Sequence, residues 1–283
     1  MTLIIILICI AVEKFTPTIS QFRHYHWLKP YMLWFRRACP NLDGTITLLL
    51  ILIPLIILGV VILSSINLLL WFLLSIAVLC YSIGPKNNAT QVTDYTDAAE
   101  RGDTEAALHY ANELHPYRHE MTKIEQANQY VINTILTNTC ERITAVLFWF
   151  LILGPLGALL YRCNQQLIHY SQSEDCEELQ EAAQRLHTIL NWLPARLTAM
   201  SYALGGSMSD AWQNWRCYQT EWAQAYGDDN CGILVCSGLG ALQIEVNSRE
   251  NDLQNIQCAL ALANRAIIIW ITLIAVLTLA GLS

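Results

Sequence analysis

Uncharged stretches separated by polar segments are the main pattern of this sequence. The longest covers residues 44–85 without a formal charge, and shorter ones cover 143–161 and 266–283. About 20 helical residues cross a hydrocarbon core of about 30 Å, so the first stretch is long enough for two crossings. Its polar interruption at 64–67 marks the turn between them. The pattern therefore predicts transmembrane helices near 45–63, 67–84, 143–161 and 266–283.

The third stretch contains the dipeptide Gly154-Pro155. Proline removes a backbone N–H and glycine allows close approach of a neighbour, so we expect a kinked or broken helix here, with a packing kink favoured. The alternative is a broken, re-entrant helix that lines a cavity. Arg142, Arg162 and Arg265 flank the third and fourth stretches, and we expect them at the depth of the lipid headgroups.

The N-terminus carries a shorter apolar stretch, residues 1–12, followed by Glu13 and Lys14. It has neither the basic start nor the small-residue cleavage site of a secretory signal peptide, so we expect it to stay attached as an inserted or interfacial segment. The following loop, 13–43, has the highest density of Lys and Arg. This predicts a cytoplasmic position for the loop and, beyond the hairpin, for 86–142; charge leaves the side of 163–264 open.

The polar segments have helical periodicity. Apolar positions recur every three or four residues in 102–114 and from Leu179 to Leu193, and strict alternation is found nowhere. Two uncharged stretches, 197–209 and 230–244, fit re-entrant, interfacial or buried segments. The predicted fold is an all-α, polytopic helical membrane protein with amphipathic and, in one interpretation, re-entrant helices. Its segments are an N-terminal apolar segment and basic loop (1–43), a transmembrane hairpin (44–85), a polar helical segment (86–142), a kinked transmembrane or re-entrant helix (143–162), an amphipathic helical region (163–264) and a C-terminal transmembrane helix (265–283).

Composition agrees with a membrane protein and argues against a nucleic acid partner. Hydrophobic residues make up 54% of the chain and charged residues only 14%, whereas soluble domains have about a quarter charged residues. The net charge of −7 argues against phosphate-backbone binding, which depends on clustered cations. The lipid bilayer is the predicted partner. The cysteines are scattered, and Cys231 and Cys236 lack zinc-knuckle spacing, so we interpret the cysteines as small buried hydrophobic residues.

Two local patterns have alternative interpretations. His109, His115 and His119 could bind a metal, but Pro116 breaks the helical register between them, so no metal site is predicted. Tryptophans and tyrosines crowd residues 192–226; this favours a membrane interface, with a ligand platform as the alternative.

Arg196 lies beside an apolar face, two residues after Pro194. Proline is common in the first turn of a helix, so this spacing predicts that a new helix begins here. A membrane-adjacent arginine needs a partner, which leaves a structural ion pair and a ligand contact as alternatives.

Two motifs resemble the AmpE/CobD (CbiB) superfamily of bacterial inner-membrane proteins. The first is Phe-Trp-Phe-Leu-Ile-Leu-Gly-Pro-Leu-Gly-Ala-Leu-Leu-Tyr-Arg at 148–162, and the second is Leu-Asn-Trp-Leu-Pro-Ala-Arg-Leu-Thr-Ala at 190–199. The length, the start and the C-terminal apolar stretch are similar to those of the AmpE branch. For CobD-type members, the resemblance implies membrane ligases that attach an aminopropanol unit to a corrinoid in cobalamin synthesis, using ATP and Mg²⁺.

Several acidic positions of these ligases differ in this chain. Their Glu-Asn with Asp three residues later reads Thr137, Asn138 and Glu141, their Asn-Thr-Leu-Asp reads Gln-Gln-Leu-Ile at 165–168, and their Asp-Asp reads His187-Thr188. Carboxylates hold Mg²⁺ near phosphates, so the loss favours the AmpE branch. The AmpE resemblance implies a non-catalytic accessory or signalling protein of the inner membrane that modulates β-lactamase induction linked to peptidoglycan recycling. The cofactor stays unknown, no metal site is predicted, and the expected partner is another wall-recycling or resistance protein.

Two alternatives stay open at this point. One is a CobD-like, ATP-dependent amide-forming ligase; the other is a small-molecule carrier that uses the interrupted third stretch. The polar residues that match the superfamily imply a shared ligand cavity. Its expected members are Asn138, Glu141, Arg162, Asn191, Arg196, Asn230 and Gly232.

Overall fold

The computed structural model describes residues 2–15, 25, 27–38, 43–65, 67–83, 87–114, 123–173, 176–218, 229–244 and 252–280. These residues contain helices and no strand, which confirms the all-α prediction. The helices are α1 (Thr2–Phe15), α2 (Leu28–Ala38), α3 (Gly44–Ser65), α4 (Leu68–Ser82), α5 (Asn87–Glu100), α6 (Thr104–Glu113), α7 (Ile124–Thr139), a π-helix (Cys140–Thr144), α8 (Ala145–Leu153), α9 (Pro155–Ser173), α10 (Glu177–Gly205), α11 (Met208–Cys217), α12 (Asp229–Ala241) and α13 (Asp252–Leu279).

The chain forms two compact units, and each combines segments that are distant in sequence. The first unit consists of Met1–Gly84, Ala145–Leu193 and Ala275–Ser283. The second consists of Pro85–Thr144 and Pro194–Ile274.

Three helical stretches among the described residues are long and apolar enough to cross a membrane. They are Gly44–Val61, Ala127–Leu153 and Leu253–Leu279. Only 28% of the first and of the third is buried within the protein, so most of their apolar surface needs an apolar solvent such as lipid. This confirms the prediction of a helical membrane protein. The apolar helix α4 and the apolar part of α1 are shorter than these stretches.

The helix expected over 143–161 is divided in the structure. α8 ends at Leu153, Gly154 adopts a left-handed φ of 67°, and α9 begins at Pro155 and packs against α8. A glycine just after one helix and a proline at the first position of the next are typical of one helix ending and another beginning. Of the kinked or broken helix expected here, the structure has the broken one, and the favoured packing kink is wrong. Gly157 permits the close packing, since a Cβ there would lie 2.3 Å from the Trp149 carbonyl oxygen.

Two arginines expected at the ends of membrane helices lie within longer helical stretches. Arg142 is in the π-helix inside Ala127–Leu153, and Arg265 lies in the middle of α13. The Arg265 guanidinium donates a 3.0 Å hydrogen bond from Nη1 to the Gly205 carbonyl oxygen. The predicted helix ends are therefore wrong here, because a charged side chain with a partner need not end a helix.

In the first unit, α4 packs on α1, and α9 contacts α2, α3 and α4. Tyr25, Met32, Ile51, Leu167 and Ala183 belong to one buried apolar cluster in this unit. The start of α3 lies directly against α10, since a Cβ on Gly44 would lie 2.1 Å from the Glu178 carbonyl oxygen. Glycine is required at this contact because no side chain fits between the two backbones.

In the second unit, the uncharged stretch 230–244 contains the buried helix α12. Its residues from Gly232 to Ala241 are all buried, with α7 and α11 packed against the helix. Of the three interpretations of this stretch, burial within the protein is the one that the structure supports. The predicted amphipathic helix at 102–114 is α6, which buries Ala107 and Ala111 and starts after Asp103, whose carboxylate accepts from the Ala106 N–H at 3.1 Å.

Candidate functional site

The predicted site residues fall into both units. Arg162 and Asn191 belong to the first unit, and the other five belong to the second. The shared cavity expected for all seven stays a prediction. Within the second unit, the structure brings together Arg196, Asn230 and Gly232, as the following contacts show.

Arg196 and Asn230 are hydrogen-bonded. Arg196 Nη1 donates to Asn230 Oδ1 at 3.2 Å, and Asn230 is 1% exposed while Arg196 is half-buried. Asn230 lies in the first turn of α12, where the helix dipole favours negative charge. A guanidinium held next to such a turn is suited to a carboxylate or a phosphate.

Gly232 lies beneath the ring of Tyr218. A Cβ at Gly232 would lie 2.1 Å from Tyr218 Cζ, so glycine is what admits the ring. Tyr218 is 2% exposed and its hydroxyl donates to Asp229 Oδ1 at 3.4 Å. Sequence reasoning missed Tyr218 as a site residue, because it belonged to an aromatic-rich segment interpreted as interfacial.

Asn138 and Glu141 lie where α7 passes into the π-helix. Asn138 is in the last turn of α7, and Glu141 is the second residue of Cys140–Thr144; both are half-buried. Glu141 is close to the midpoint of the apolar stretch Ala127–Leu153. An ionisable side chain at this position in a membrane helix is costly unless it has a function or a partner, and π-helices are frequent at functional sites.

A second polar group lies in the first unit, on α9 and α10. Tyr161 donates from its hydroxyl to Asn191 Oδ1 at 3.3 Å, and Arg162 donates to the side-chain oxygen of Gln165. Asn191 and Arg162 are both buried. Burial, and then the positive charge of Arg162, hold the pKa of His169 below its usual value.

Two departures from the ligase pattern belong to this polar group. Gln165 is the partner of Arg162, and the His187 ring lies 5.5 Å from the Tyr161 ring, centroid to centroid. In this chain the neutral side-chain amide of Gln165 therefore accepts a hydrogen bond from the Arg162 guanidinium. This role needs no bound metal.

The start of a new helix at Pro194 is wrong. Pro194 lies inside α10, which is continuous from Glu177 to Gly205. The carbonyl oxygen of Leu190, which would accept from the N–H of residue 194 in a regular helix, accepts instead from Trp149 Nε1 at 3.1 Å. The side chain of Trp149 therefore supplies the hydrogen bond that proline cannot donate. Because α10 is continuous, Asn191 and Arg196 lie on one helix.

The donor set does not fit a resident metal ion in the described part of the chain. No group of three His, Cys, Asp or Glu side chains there lies close enough to hold one. His109 faces Glu113, with 3.3 Å between Nε2 and Oε1, while His115 and His119 lie outside the described residues.

Comparison with known proteins gives one family. The family model described as CobD/Cbib protein matches residues 10–275. Among curated relatives, the cobalamin biosynthesis protein CobD of Chromobacterium violaceum is 29% identical over 191 residues, which are 63% of this chain and 56% of the relative. CobD of Stutzerimonas stutzeri is 34% identical over 39% of this chain and 36% of its own. A probable CobD of Methanothermobacter thermautotrophicus is 29% identical over 43% of this chain and 42% of its own.

These alignments span about half of the relatives' length or less. No solved structure matches the chain. The resemblance to the superfamily is confirmed, but the predicted accessory role in β-lactamase induction is wrong, because the relatives are named for cobalamin biosynthesis. The missing carboxylates concern metal binding, and they are no evidence against the family that the comparison gives.

Proposed function

This chain belongs to the CobD/CbiB family, and on that premise we propose that it is a multi-pass inner-membrane enzyme of cobalamin biosynthesis. Its reaction joins the amine of aminopropanol phosphate to a carboxyl group of a corrinoid through an amide bond, the activity of an adenosylcobinamide-phosphate synthase. The names of the relatives and the motifs at 148–162 and 190–199 support this assignment.

The hydrogen bond between Arg196 and Asn230 is the observation that carries the proposal. Both reactants of an amide-forming ligase carry or acquire negative charge, as a carboxylate and as phosphate groups. Arg196 Nη1 places a cation beside the first turn of α12, where the helix dipole also favours negative charge. We assign to them the binding of the anionic group of a substrate.

The reaction itself needs an activated carboxyl group. A carboxylate is a poor electrophile, and ATP, which the family resemblance implies as co-substrate, converts it to an acyl phosphate and leaves ADP. The amine then attacks the acyl carbon, phosphate departs with the electron pair of the broken C–O bond, and the amine loses its proton. Phosphoryl transfer depends mainly on positioning and on stabilisation of negative charge, which is the role proposed for Arg196.

Rescue of a strain that lacks its CobD ligase tests this function. The strain is supplied with the corrinoid acid, and cobalamin-dependent growth is measured with this chain, with Arg196→Gln and with Arg185→Gln. Arg185 is the matched control, since it is an exposed arginine on the same helix, 3.3 Å from Glu181. We expect rescue by the wild type and by Arg185→Gln, and none by Arg196→Gln at equal membrane levels. Wild-type protein that is present in the membrane without rescue would overturn the proposal.

A further inference from the structure

The π-helix that carries Glu141 is hydrogen-bonded from outside at its N-terminal end. The Cys140 N–H bonds to the Thr137 carbonyl oxygen and not to that of Leu136, its regular α-helical partner. The Leu136 carbonyl oxygen accepts instead from the hydroxyl of Tyr202 at 2.6 Å. Tyr202 is fully buried in the second unit, so this bond is shielded from water.

The C-terminal end of the π-helix is held by the same face of α10. The Thr198 hydroxyl donates to the Pro194 carbonyl oxygen at 2.8 Å, and the hydroxyls of Thr144 and Thr198 are 2.6 Å apart. Thr144 has its own backbone acceptor, the Cys140 carbonyl oxygen at 3.4 Å, so either threonine can donate to the other. Thr198 and Tyr202 are four residues apart, which places both on one face of α10.

We propose that Tyr202 and Thr198 are positioning residues for the amide-forming reaction, acting through Glu141. Together they hold the π-helix at both ends and so fix the direction in which Glu141 and Asn138 project. This inference rests on the proposed function for its catalytic meaning.

Helix geometry determines how far Glu141 would turn if the π-helix were lost. A π-helical turn of this kind contains one residue more than an α-helical turn. If it relaxed into a regular α-helix, the residues on one side would rotate by about 100° relative to those on the other. Glu141 would then face a different part of the protein. Loss of the hydrogen bond from Tyr202 to the Leu136 carbonyl oxygen is therefore expected to lower turnover much more than it lowers the free energy of unfolding.

A double-mutant cycle separates positioning from general destabilisation. Turnover is measured for Tyr202→Phe, Glu141→Gln and the double variant, with Tyr95→Phe as control. Tyr95 is a buried tyrosine of the same unit whose hydroxyl contacts Asn128, away from the π-helix. We expect Tyr202→Phe to lower kcat at least about tenfold with a smaller change in KM, and to have no further effect when Glu141 is already replaced. Independent, multiplying effects would overturn the inference, as would an equal kcat loss in Tyr95→Phe.

A second measurement does not depend on activity. The variant Glu141→Cys is combined with Tyr202→Phe or with Tyr95→Phe, and the alkylation rate at position 141 is read by peptide mass spectrometry. The buried neighbour Cys140 serves as an internal reference. We expect Tyr202→Phe to change the rate at 141 at least threefold and Tyr95→Phe to leave it unchanged. Equal rates in all three proteins would overturn the positioning role. If the wild type has no ligase activity, the proposed function fails, and the labelling result still decides the positioning of Glu141.

Discussion

Trp149 Nε1 donates a 3.1 Å hydrogen bond to the carbonyl oxygen of Leu190, to which Pro194 has no N–H to donate. This bond accounts for the continuation of α10 through a proline. It also connects α8 to α10 within the first unit. Trp149 belongs to the first of the two family motifs and Leu190 to the second. The helix that carries the second motif therefore depends on a side chain of the first, which composition does not reveal.

Replacement of Trp149 tests this dependence. Trp149→Phe leaves the Leu190 carbonyl without its donor, which we expect to cost about 1–3 kcal/mol of unfolding free energy. Pro194→Ala restores a backbone N–H at this point, so the cost of Trp149→Phe should be smaller in a Pro194→Ala background. Thermal unfolding in detergent measures both. Trp34→Phe, at an exposed tryptophan of α2, is the control. Equal costs in the two backgrounds would contradict this account of Pro194.

Two glycines of α3 should respond differently to alanine. A Cβ on Gly44 would lie 2.1 Å from a backbone oxygen, that of Glu178, whereas a Cβ on Gly59 would meet the end of the Leu156 side chain at 2.3 Å. A side chain can rotate away and a packed helix backbone cannot, so Gly44→Ala is expected to cost about 1–3 kcal/mol. Gly59→Ala should cost less, because alanine also favours the helix by about 1 kcal/mol. A larger loss of thermal stability in Gly59→Ala would contradict the observed packing.

The contact between α1 and α4 can be tested by oxidation. Cys80 Sγ lies 2.9 Å from Cys9 Sγ, and neither forms a disulfide in the structure. Mild oxidation with copper phenanthroline should form a disulfide within the chain, with the loss of two hydrogen atoms and of two alkylatable thiols. Cys9→Ser should abolish this change, and the exposed Cys217 should stay alkylatable. Continued alkylation of both Cys9 and Cys80 after oxidation would contradict the placement of α1.

The free energy of unfolding should depend on pH in mildly acidic solution because of His169. Its folded pKa is lowered by burial and by Arg162, so below the unfolded value of about 6.5 the unfolded chain binds a proton that the folded chain does not. Stability is therefore expected to fall as pH decreases from about 7 towards the folded pKa. Unfolding midpoints of the wild type and of His169→Gln across this range measure the effect. A variant that loses stability as steeply as the wild type would exclude His169 as the cause.

The helical membrane class could be predicted from the sequence, because an uncharged apolar stretch as long as that of α3 is typical of a helix in lipid. The ends of the helices were harder to predict. The sequence predicts Arg142 and Arg265 at membrane boundaries, yet both lie within helical stretches, and Arg265 has a backbone carbonyl as its partner. A pattern of charges along the chain does not reveal a partner that is supplied by a distant residue.

The candidate site was accessible only through family resemblance. Arg196 and Asn230 are 34 residues apart, and nothing in their local patterns predicts that they are hydrogen-bonded. Tyr218 had one sequence signal, the glycine at 232 that admits its ring, but a glycine does not identify its neighbour. The predicted AmpE role is wrong because the missing carboxylates bear on metal binding and do not distinguish the branches of the superfamily.

The most direct test of the central claim is product formation by the purified protein in detergent. The corrinoid acid, aminopropanol phosphate and ATP are incubated with the wild type, Arg196→Gln and Arg185→Gln, and the amide is measured by mass spectrometry as the sum of the corrinoid acid and the amine less one water. We predict ATP-dependent amide formation by the wild type and by Arg185→Gln, and a loss of at least about tenfold in Arg196→Gln. Folded, monodisperse wild-type protein that forms no amide from these reactants would contradict the account.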